Sequence, residues 1–301
     1  MYYGGIEAGG TKFVCAISDE NGKIIDRVQI PTTIPEETMG QVFDFFQQFE
    51  LKAIGIGTFG PIEINKKSPS YGNITETPKT PWKNYPFVKA IEERFQVPVG
   101  FNTDVNAAAL GEAALGAAKG LDSCLYITVG TGIGAGAVVN GQLLQGLSHP
   151  EMGHVIVRRH ADDTYEGKCP YHKDCLEGLA AGPAIEARWG ENGLALAERT
   201  EVWEMQAYYI AQALVQYIVI LSPKKIILGG GVMKQKQLFP LIHNYVKTLL
   251  NDYVPYPELS EKIDEYIVSP GLGDNAGITG SLLLGKLALE EKAANGLTAR
   301  G

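Results

Sequence analysis

The chain has 301 residues, 45% hydrophobic and 20% charged, which is enough for two soluble domains of ordinary size. A formal net charge of −8 argues against nucleic acid or an anionic membrane surface as the main partner, while leaving room for a small anion held by backbone amides. No run of about 18 apolar residues reads as a membrane span, the opening Met-Tyr-Tyr-Gly-Gly-Ile-Glu lacks a basic-then-apolar leader, and four cysteines without a leader make the cytoplasm, with reduced thiols, the expected compartment.

Residues 2–30 read as a β-meander: a strand ending at Ile6, a turn at Ala8-Gly9-Gly10, a strand from Phe13 to Ile17, the hairpin signal Asn21-Gly22, and a strand from Lys23 to Gln29. A helix is predicted over Glu36–Glu50, with Met39, Val42, Phe43, Phe46 and Phe49 on one stripe. Ala53 to Ile64 reads as a strand interrupted by Gly55, Gly57 and Gly60-Pro61. Residues 65–85, rich in Pro, Thr, Lys and Asn, read as a long loop. A short helix over Phe87–Phe95, a strand over Val97–Phe101 and an Ala-rich helix over Val105–Ala118 follow.

The opening design then returns. Leu125–Val129 and Ala135–Val139 read as strands around the turn Gly130-Thr131-Gly132, with Asn140-Gly141 starting another hairpin. Ile6–Ile17 and Ile127–Val138 thus share strand, glycine turn and strand, a weak repeat about 120 residues apart that suggests two similar domains. Beyond a cysteine-bearing segment come a helix over Glu201–Leu221, a strand over Lys225–Leu228 running into Gly229-Gly230-Gly231, and a helix near Gln237–Leu250. A strand over Tyr266–Ser269, a glycine loop over 270–277, a helix near 278–293 and a frayed tail over 294–301 close the chain. Strands alternating with helices give an α/β class with partly parallel sheets.

Several segments carry chemistry. Gly9-Gly10-Thr11-Lys12 offers backbone N–H groups, a hydroxyl and a cation to an anion. It is not a Walker loop, since the spacing is absent and the segment joins two strands; a plain glycine hairpin is the alternative. Gly130-Thr131-Gly132-Ile133-Gly134 is equally ambiguous alone. Together, two such hairpins in matching places suggest a nucleotide clamped in a cleft. Asp104 follows a strand and opens a helix, where ligands of open α/β sheets bind; it is a candidate general base or, more simply, a helix cap.

His154, Cys169, His172 and Cys175, in His154…Cys169-Pro-Tyr-His172-Lys-Asp-Cys175, have the spacing of a closed metal site. Thiolates and imidazoles suit Zn2+, and four such ligands leave no open position, so the zinc would be structural. A Cys169–Cys175 disulfide or unligated surface residues are the alternatives. The same metal would fix Glu151, three residues before His154, and Glu177, two past Cys175; a solvated charge is the other reading of Glu177. Cys15 and Cys124 read as buried core, and His149 and His160 as ordinary surface or loop residues. Gly229-Gly230-Gly231 could let a ring or ribose approach the backbone, or form a tight turn. Asp274-Asn275 could likewise cap a helix.

In order along the chain, Gly9-Gly10-Thr11-Lys12, Asp104-Val-Asn106-Ala-Ala-Ala-Leu-Gly-Glu112, Gly130-Thr-Gly-Ile-Gly134, Glu151-Met-Gly-His154 and Cys169–Cys175 leading into Leu176-Glu177-Gly178 resemble the ROK family (repressors, open reading frames and sugar kinases), above all its bacterial fructokinase branch. The resemblance covers residues 4–285. It implies the two-domain actin-like (ribonuclease H-like) sugar kinase fold and ATP-dependent phosphorylation of a hexose, D-fructose first. By resemblance, Asp104 is the catalytic base, and Thr103, Glu151, His154 and Glu177 contact the sugar. Gly9, Gly10, Thr11, Lys12, Gly130, Thr131 and Gly132 hold the phosphates of ATP, and Gly182, Pro223, Gly230, Gly231, Gly271, Asp274 and Asn275 the rest of the nucleotide. Mg2+ bridges the phosphates, and zinc sits on His154, Cys169, His172 and Cys175.

Three positions depart from the family's common pattern: Glu7 for Asp, Thr103 for Asn, and His172 within a usually cysteine-rich segment; these favour the fructokinase-like branch over glucokinase. The family also implies a homodimer. The expected domains are residues 1–110, with the helix near 278–293 packing back, and 111–277, carrying the zinc segment 151–177. A kinase for mannose, glucose or an N-acetylated hexosamine is the alternative activity. A sugar-sensing regulator is disfavoured, because only eight residues precede Gly9, too few for a helix-turn-helix.

Overall fold

The computed structural model describes residues 1–298 and divides into two compact units. The first comprises residues 1–116, 143–150 and the segment from 274 onward; the second comprises 117–142 and 151–273.

In the first unit, β1 (Tyr2–Ala8), β2 (Lys12–Ser18) and β3 (Ile24–Pro31) form the meander. Helix α1 (Pro35–Phe46) starts on a proline with Glu36 and Glu37 in its first turn, a pairing that suits a helix N-terminus. It buries Met39, Val42, Phe45 and Phe46 and stops earlier than the predicted Glu50. Strand β4 (Leu51–Thr58), helix α2 (Phe87–Phe95), strand β5 (Val99–Thr103) and helix α3 (Asp104–Leu115) complete this part. The sheet order is β3-β2-β1-β4-β5, with β1, β4 and β5 parallel.

Between β4 and α2, the stretch expected as a plain loop contains a 3-10 turn, Thr80–Trp82, and Trp82 is its anchor. Trp82 is 1% exposed, lies tilted against Phe13 at 5.1 Å between ring centroids, and donates its indole N–H to the Thr33 carbonyl at 2.7 Å. Burying a tryptophan with its N–H satisfied is strongly stabilising, so one aromatic residue orders a polar segment.

The second unit opens with β6 (Cys124–Val129), β7 (Ile133–Val139) and β8 (Gln142–Leu143). After the metal segment come α4 (Leu176–Ala180), α5 (Gly182–Trp189), α6 (Thr200–Leu221), β9 (Ile226–Gly229), α7 (Leu238–Leu250), the single turn α8 (Ile263–Tyr266) and β10 (Ile267–Val268). Its order, β10-β9-β6-β7-β8, is the first sheet's order read from the other edge. In each sheet a meander is followed by two parallel strands added beside its first strand. The repeat suspected from two glycine turns therefore extends to the connectivity of both sheets.

The last helix, α9 (Ala276–Thr298), returns to the first unit and packs on β1, β2, β4, β5 and α3. The predicted boundary after residue 110 cuts α3; the unit continues to Gly116 because α3 is held against α9. The tail expected to fray from 294 is helical through 298, and residues 299–301 lie outside the described residues. The glycines that looked like interruptions of β4 are seats for α9. A Cβ on Gly55 would stand 1.8 Å from the Ser281 carbonyl oxygen, and one on Gly280 would stand 1.6 Å from that of Ala107. Cys15 and Cys124 are buried, as the apolar runs around them implied. Among the described residues no helix is long and apolar enough to cross a membrane.

Candidate functional site

In the first unit, Ala8, Thr58 and Thr103 stand abreast on β1, β4 and β5. The Gly9 turn and Asp104 therefore leave the same edge of the sheet, two strand spacings or about 10 Å apart. The turn is closed by the Gly9 N–H donating to the Lys12 carbonyl at 3.0 Å. Gly9 and Gly10 are half-buried, Thr11 is exposed, and the Lys12 ammonium donates to Gln29 Oε1 on β3 at 3.2 Å. Asp104 is the first residue of α3, and its Oδ1 accepts from the Val105 N–H at 2.8 Å.

Thr103 is buried, and its hydroxyl oxygen caps α3 by accepting from the Asn106 N–H at 3.2 Å. The same oxygen lies 3.4 Å from Nδ1 of His149, which stands in a loop, as one of its two expected settings had it, and is 7% exposed. Enclosed in this way, Thr103 holds the start of α3.

Glu7, near the end of β1, has one carboxyl oxygen that is buried without a hydrogen-bond partner. Burial first, and then the negative charge of Asp104, push Glu7 up to about 7, against Arg27, Lys12 and the Ile278 N–H. A carboxylate oxygen enclosed without a protein donor has the chemistry of one waiting for a cation or its water. Asn275, expected with the nucleotide, accepts from Arg27 at 2.7 Å, and Asp274 precedes it in the 3-10 turn that leads into α9.

In the second unit the four metal-segment side chains converge. The donor atoms of His154, Cys169, His172 and Cys175 all lie within 4.8 Å of one another. His154 Nδ1 is 3.7 Å from Cys169 Sγ and 3.5 Å from Cys175 Sγ, and His172 Nδ1 is 3.7 Å from Cys169 Sγ. A tetrahedral zinc with ordinary Zn–S and Zn–N bonds puts its S and N ligands about 3.6 Å apart. The cysteines form no disulfide, which removes that alternative.

The surrounding turn is a tight knuckle. Cys169 and Lys173 exchange backbone hydrogen bonds, and the His172 N–H points at Cys169 Sγ at 3.5 Å. Burial pushes the Cys175 thiol up to about 11, with Cys169 adding to it, whereas a bound cation would deprotonate it outright.

The knuckle leads directly into α4 and Glu177. One Glu177 oxygen accepts from the Ile133 N–H at 2.9 Å, and the other lies 3.9 Å from His154 Nε2. His154 thus turns one ring nitrogen to the thiols and the other to Glu177. Its turn, Met152–His154, crosses β7 so closely that a Cβ on Gly153 would stand 1.7 Å from the Ile133 carbonyl, which is the physical reason for Gly in Glu-Met-Gly-His. Loss of solvent around the Glu151 carboxyl raises it above the usual carboxylate range; His154 opposes this and Glu177 adds to it.

The same unit gathers the second glycine hairpin. The Gly130 N–H donates to the Gly132 carbonyl at 2.9 Å, and the Gly182 N–H, opening α5, donates to the Gly130 carbonyl at 2.7 Å. Gly230, at φ +92°, packs on the backbone of Val129, and Gly231 N is 3.9 Å from where a Cβ on Gly130 would be. Gly130, Gly182, Gly230 and Gly231 therefore form one backbone cradle, with the Thr131 side chain exposed at its rim. Gly271 follows Pro270, whose ring packs against Gly229 at the end of β9. Pro223 does not join them. It is buried at the opposite end of β9, and its carbonyl accepts from the Tyr266 hydroxyl at 2.8 Å.

Periodicity gave no sign of the anchor behind α4 and α5. Asp163 receives Arg188 Nε at 3.0 Å and the Tyr209 hydroxyl at 2.6 Å, while Arg188 also donates to the Leu179 carbonyl at 2.9 Å. These contacts satisfy a buried charge pair and fix the helix that bears Glu177.

The sequence profile of the ROK family matches residues 3–287. A Bacillus subtilis (strain 168) protein carrying a provisional fructokinase name is 62% identical over 97% of this chain and 98% of its own length. A fructokinase of Streptococcus mutans serotype c is 48% identical over 97% of this chain and 98% of its own. Among solved structures, the ROK hexokinase of Thermus thermophilus superposes with a TM-score of 0.78 at 27% identity, covering 97% of this chain and 100% of that one.

Proposed function

From the premise that this chain belongs to the ROK family, we propose that it is an ATP-dependent fructokinase, moving the terminal phosphoryl group of ATP to the 6-hydroxyl of D-fructose. Its fold is that of the two-domain, actin-like sugar kinases. One observation carries the choice of sugar: five proteins named as fructokinases match it at 44% to 62% identity over at least 93% of its length.

Asp104 accepts the proton of the reacting hydroxyl. The sugar oxygen then forms the new bond to phosphorus, the bond to the bridging oxygen breaks, and ADP leaves. The cap made by Thr103 and the Val105 N–H fix where that carboxylate points. Glu151, His154 and Glu177 hold the sugar hydroxyls. The Ile133 N–H and the His154 ring preset the direction of Glu177, so little ordering remains to be done on binding. Within the first unit, Gly9, Gly10, Thr11 and Lys12 are the phosphate-binding residues of this reading; within the second, Gly130, Thr131, Gly132, Gly182, Gly230, Gly231 and Gly271 are the nucleotide-binding ones.

His154, Cys169, His172 and Cys175 would hold a structural zinc; their mutual distances and their donor chemistry support this. Its task is to tie the Glu151 turn to the Glu177 helix. Glu7 would hold the magnesium that arrives with ATP, directly or through water, on the strength of its unpaired buried oxygen. When bound, that ion neutralises charge on the phosphates. A homodimer belongs to the same reading.

Coupled ADP-release assays over fructose, mannose, glucose and N-acetylglucosamine test the proposal. Fructose should give the highest kcat/KM; a higher value for another hexose moves the assignment to that sugar.

A further inference from the structure

Lys12 sits in the sequence as the cation of the first glycine turn, yet its ammonium is turned along the sheet to Gln29. Another lysine covers the turn. If Gly10 carried a Cβ, that atom would lie 2.7 Å from Lys79 Cε and 3.4 Å from its Nζ, so the Lys79 side chain lies on the Gly10 backbone. No carboxylate partners this ammonium among the described residues.

Nor is Lys79 on a loose strap. Its carbonyl accepts from the Trp82 N–H at 2.8 Å, its own N–H donates to the Thr77 hydroxyl at 3.3 Å, and Trp82 is buried against Phe13, the residue after Lys12. The aromatic anchor of the 65–85 segment and the glycine turn are therefore neighbours on β2. An ammonium without a carboxylate partner, held against the backbone of a glycine turn that Gly9 and Lys12 close, has one evident ligand chemistry, a phosphate.

We propose that Lys79 binds the terminal phosphate of the nucleotide and supplies the cation over the first glycine turn that phosphoryl transfer requires. The terminal phosphate is singled out by the sheet. Gly9 and Asp104 leave the same edge about two strand spacings apart, a gap that a reacting hydroxyl at Asp104 and one phosphoryl group together span. The charge on the equatorial oxygens of that group rises in the transition state, so a cation there serves turnover as well as affinity. The inference rests on the kinase reading for its ligand but not for its test.

Calorimetry with MgADP and with a non-hydrolysable MgATP analogue, alongside steady-state kinetics, decides it. Lys79→Met should weaken the analogue on the order of 10- to 100-fold, the scale of one hydrogen bond to a charged group. MgADP affinity and the KM for fructose should move less than about threefold, and Lys79→Arg should keep most of the analogue affinity. Unchanged analogue binding, equal losses for MgADP and the analogue, or a rise in fructose KM alone would overturn the assignment. Lys79→Gln with a wild-type melting temperature serves if the Met variant misfolds. If the wild-type protein phosphorylates no hexose, the kinase reading fails, while the two binding measurements still judge Lys79.

Discussion

Asp104 is held with little freedom. It begins α3, its carboxylate is braced by the next backbone N–H, and Thr103 caps the helix around it. Asp104→Asn keeps that shape and removes the proton acceptor, so kcat should fall by about 10²–10⁴ with the melting temperature unchanged. Glu7 makes a prediction of the opposite kind. Its carboxyl is raised to about 7 in the folded protein, facing Asp104 on one side and Arg27, Lys12 and the Ile278 N–H on the other.

A raised acid favours the fold while it is protonated, and that contribution is lost as pH climbs from the ordinary carboxylate value through 7. In the absence of nucleotide and magnesium, Glu7→Gln should therefore stabilise the protein at pH 8, by up to about 3 kcal/mol, and leave it unchanged near pH 4.5. Denaturant titrations at the two pH values check this; a gain of equal size at both would refute the titration account. Asp104 as a candidate at a strand end, and the grouping of His154, Cys169, His172 and Cys175, could be picked out from spacing, because strand ends and short residue intervals are local patterns. Lys79 and His149 could not. Each lies in a segment without periodicity, and what gives it meaning is a tertiary neighbour, Gly10 in one case and Thr103 in the other.

At the level of elements, the Cys169–Cys175 knuckle and the α3–α9 pair set the positions of the acidic side chains. Purified without chelator, the protein should carry about one zinc per chain, and Cys169→Ser should abolish it, because three remaining ligands and an exposed His172 cannot close the shell. Loss of the ion frees both Glu151 and Glu177, so KM for fructose should rise more than KM for ATP. Zinc analysis by mass spectrometry alongside kinetics reads both effects.

The helix pair is limited by bulk. Gly280→Val pushes a side chain into the Ala107 carbonyl region, where even a Cβ has only 1.6 Å. Overpacking of this kind should cost about 3 kcal/mol or more and disturb Asp104, three residues before Ala107. A fully stable variant in thermal melts would argue against the close contact. The long helices and the meanders could be read from the sequence because their apolar residues repeat at 3.6 or 2. The α4–α5 pair was missed because five and eight residues give too few repeats for a stripe to stand out. The glycines of β4 were read as breaks because their partner, α9, lies more than 200 residues away in sequence.

Taken whole, the chain is one design used twice, with the same strand order in each sheet. Two short glycine turns were enough to suggest the duplication. They could not give the boundary, because 143–150 and α9 leave the contiguous run and rejoin the first unit. That return of α9 makes the first unit depend on the chain's last segment. All of the second unit, through Gly273, precedes α9 in the chain, and α9 is the helix that covers one face of the first sheet. A released chain truncated after Gly273 should therefore hold a protease-resistant core within residues 117–273, while residues 1–116 are digested.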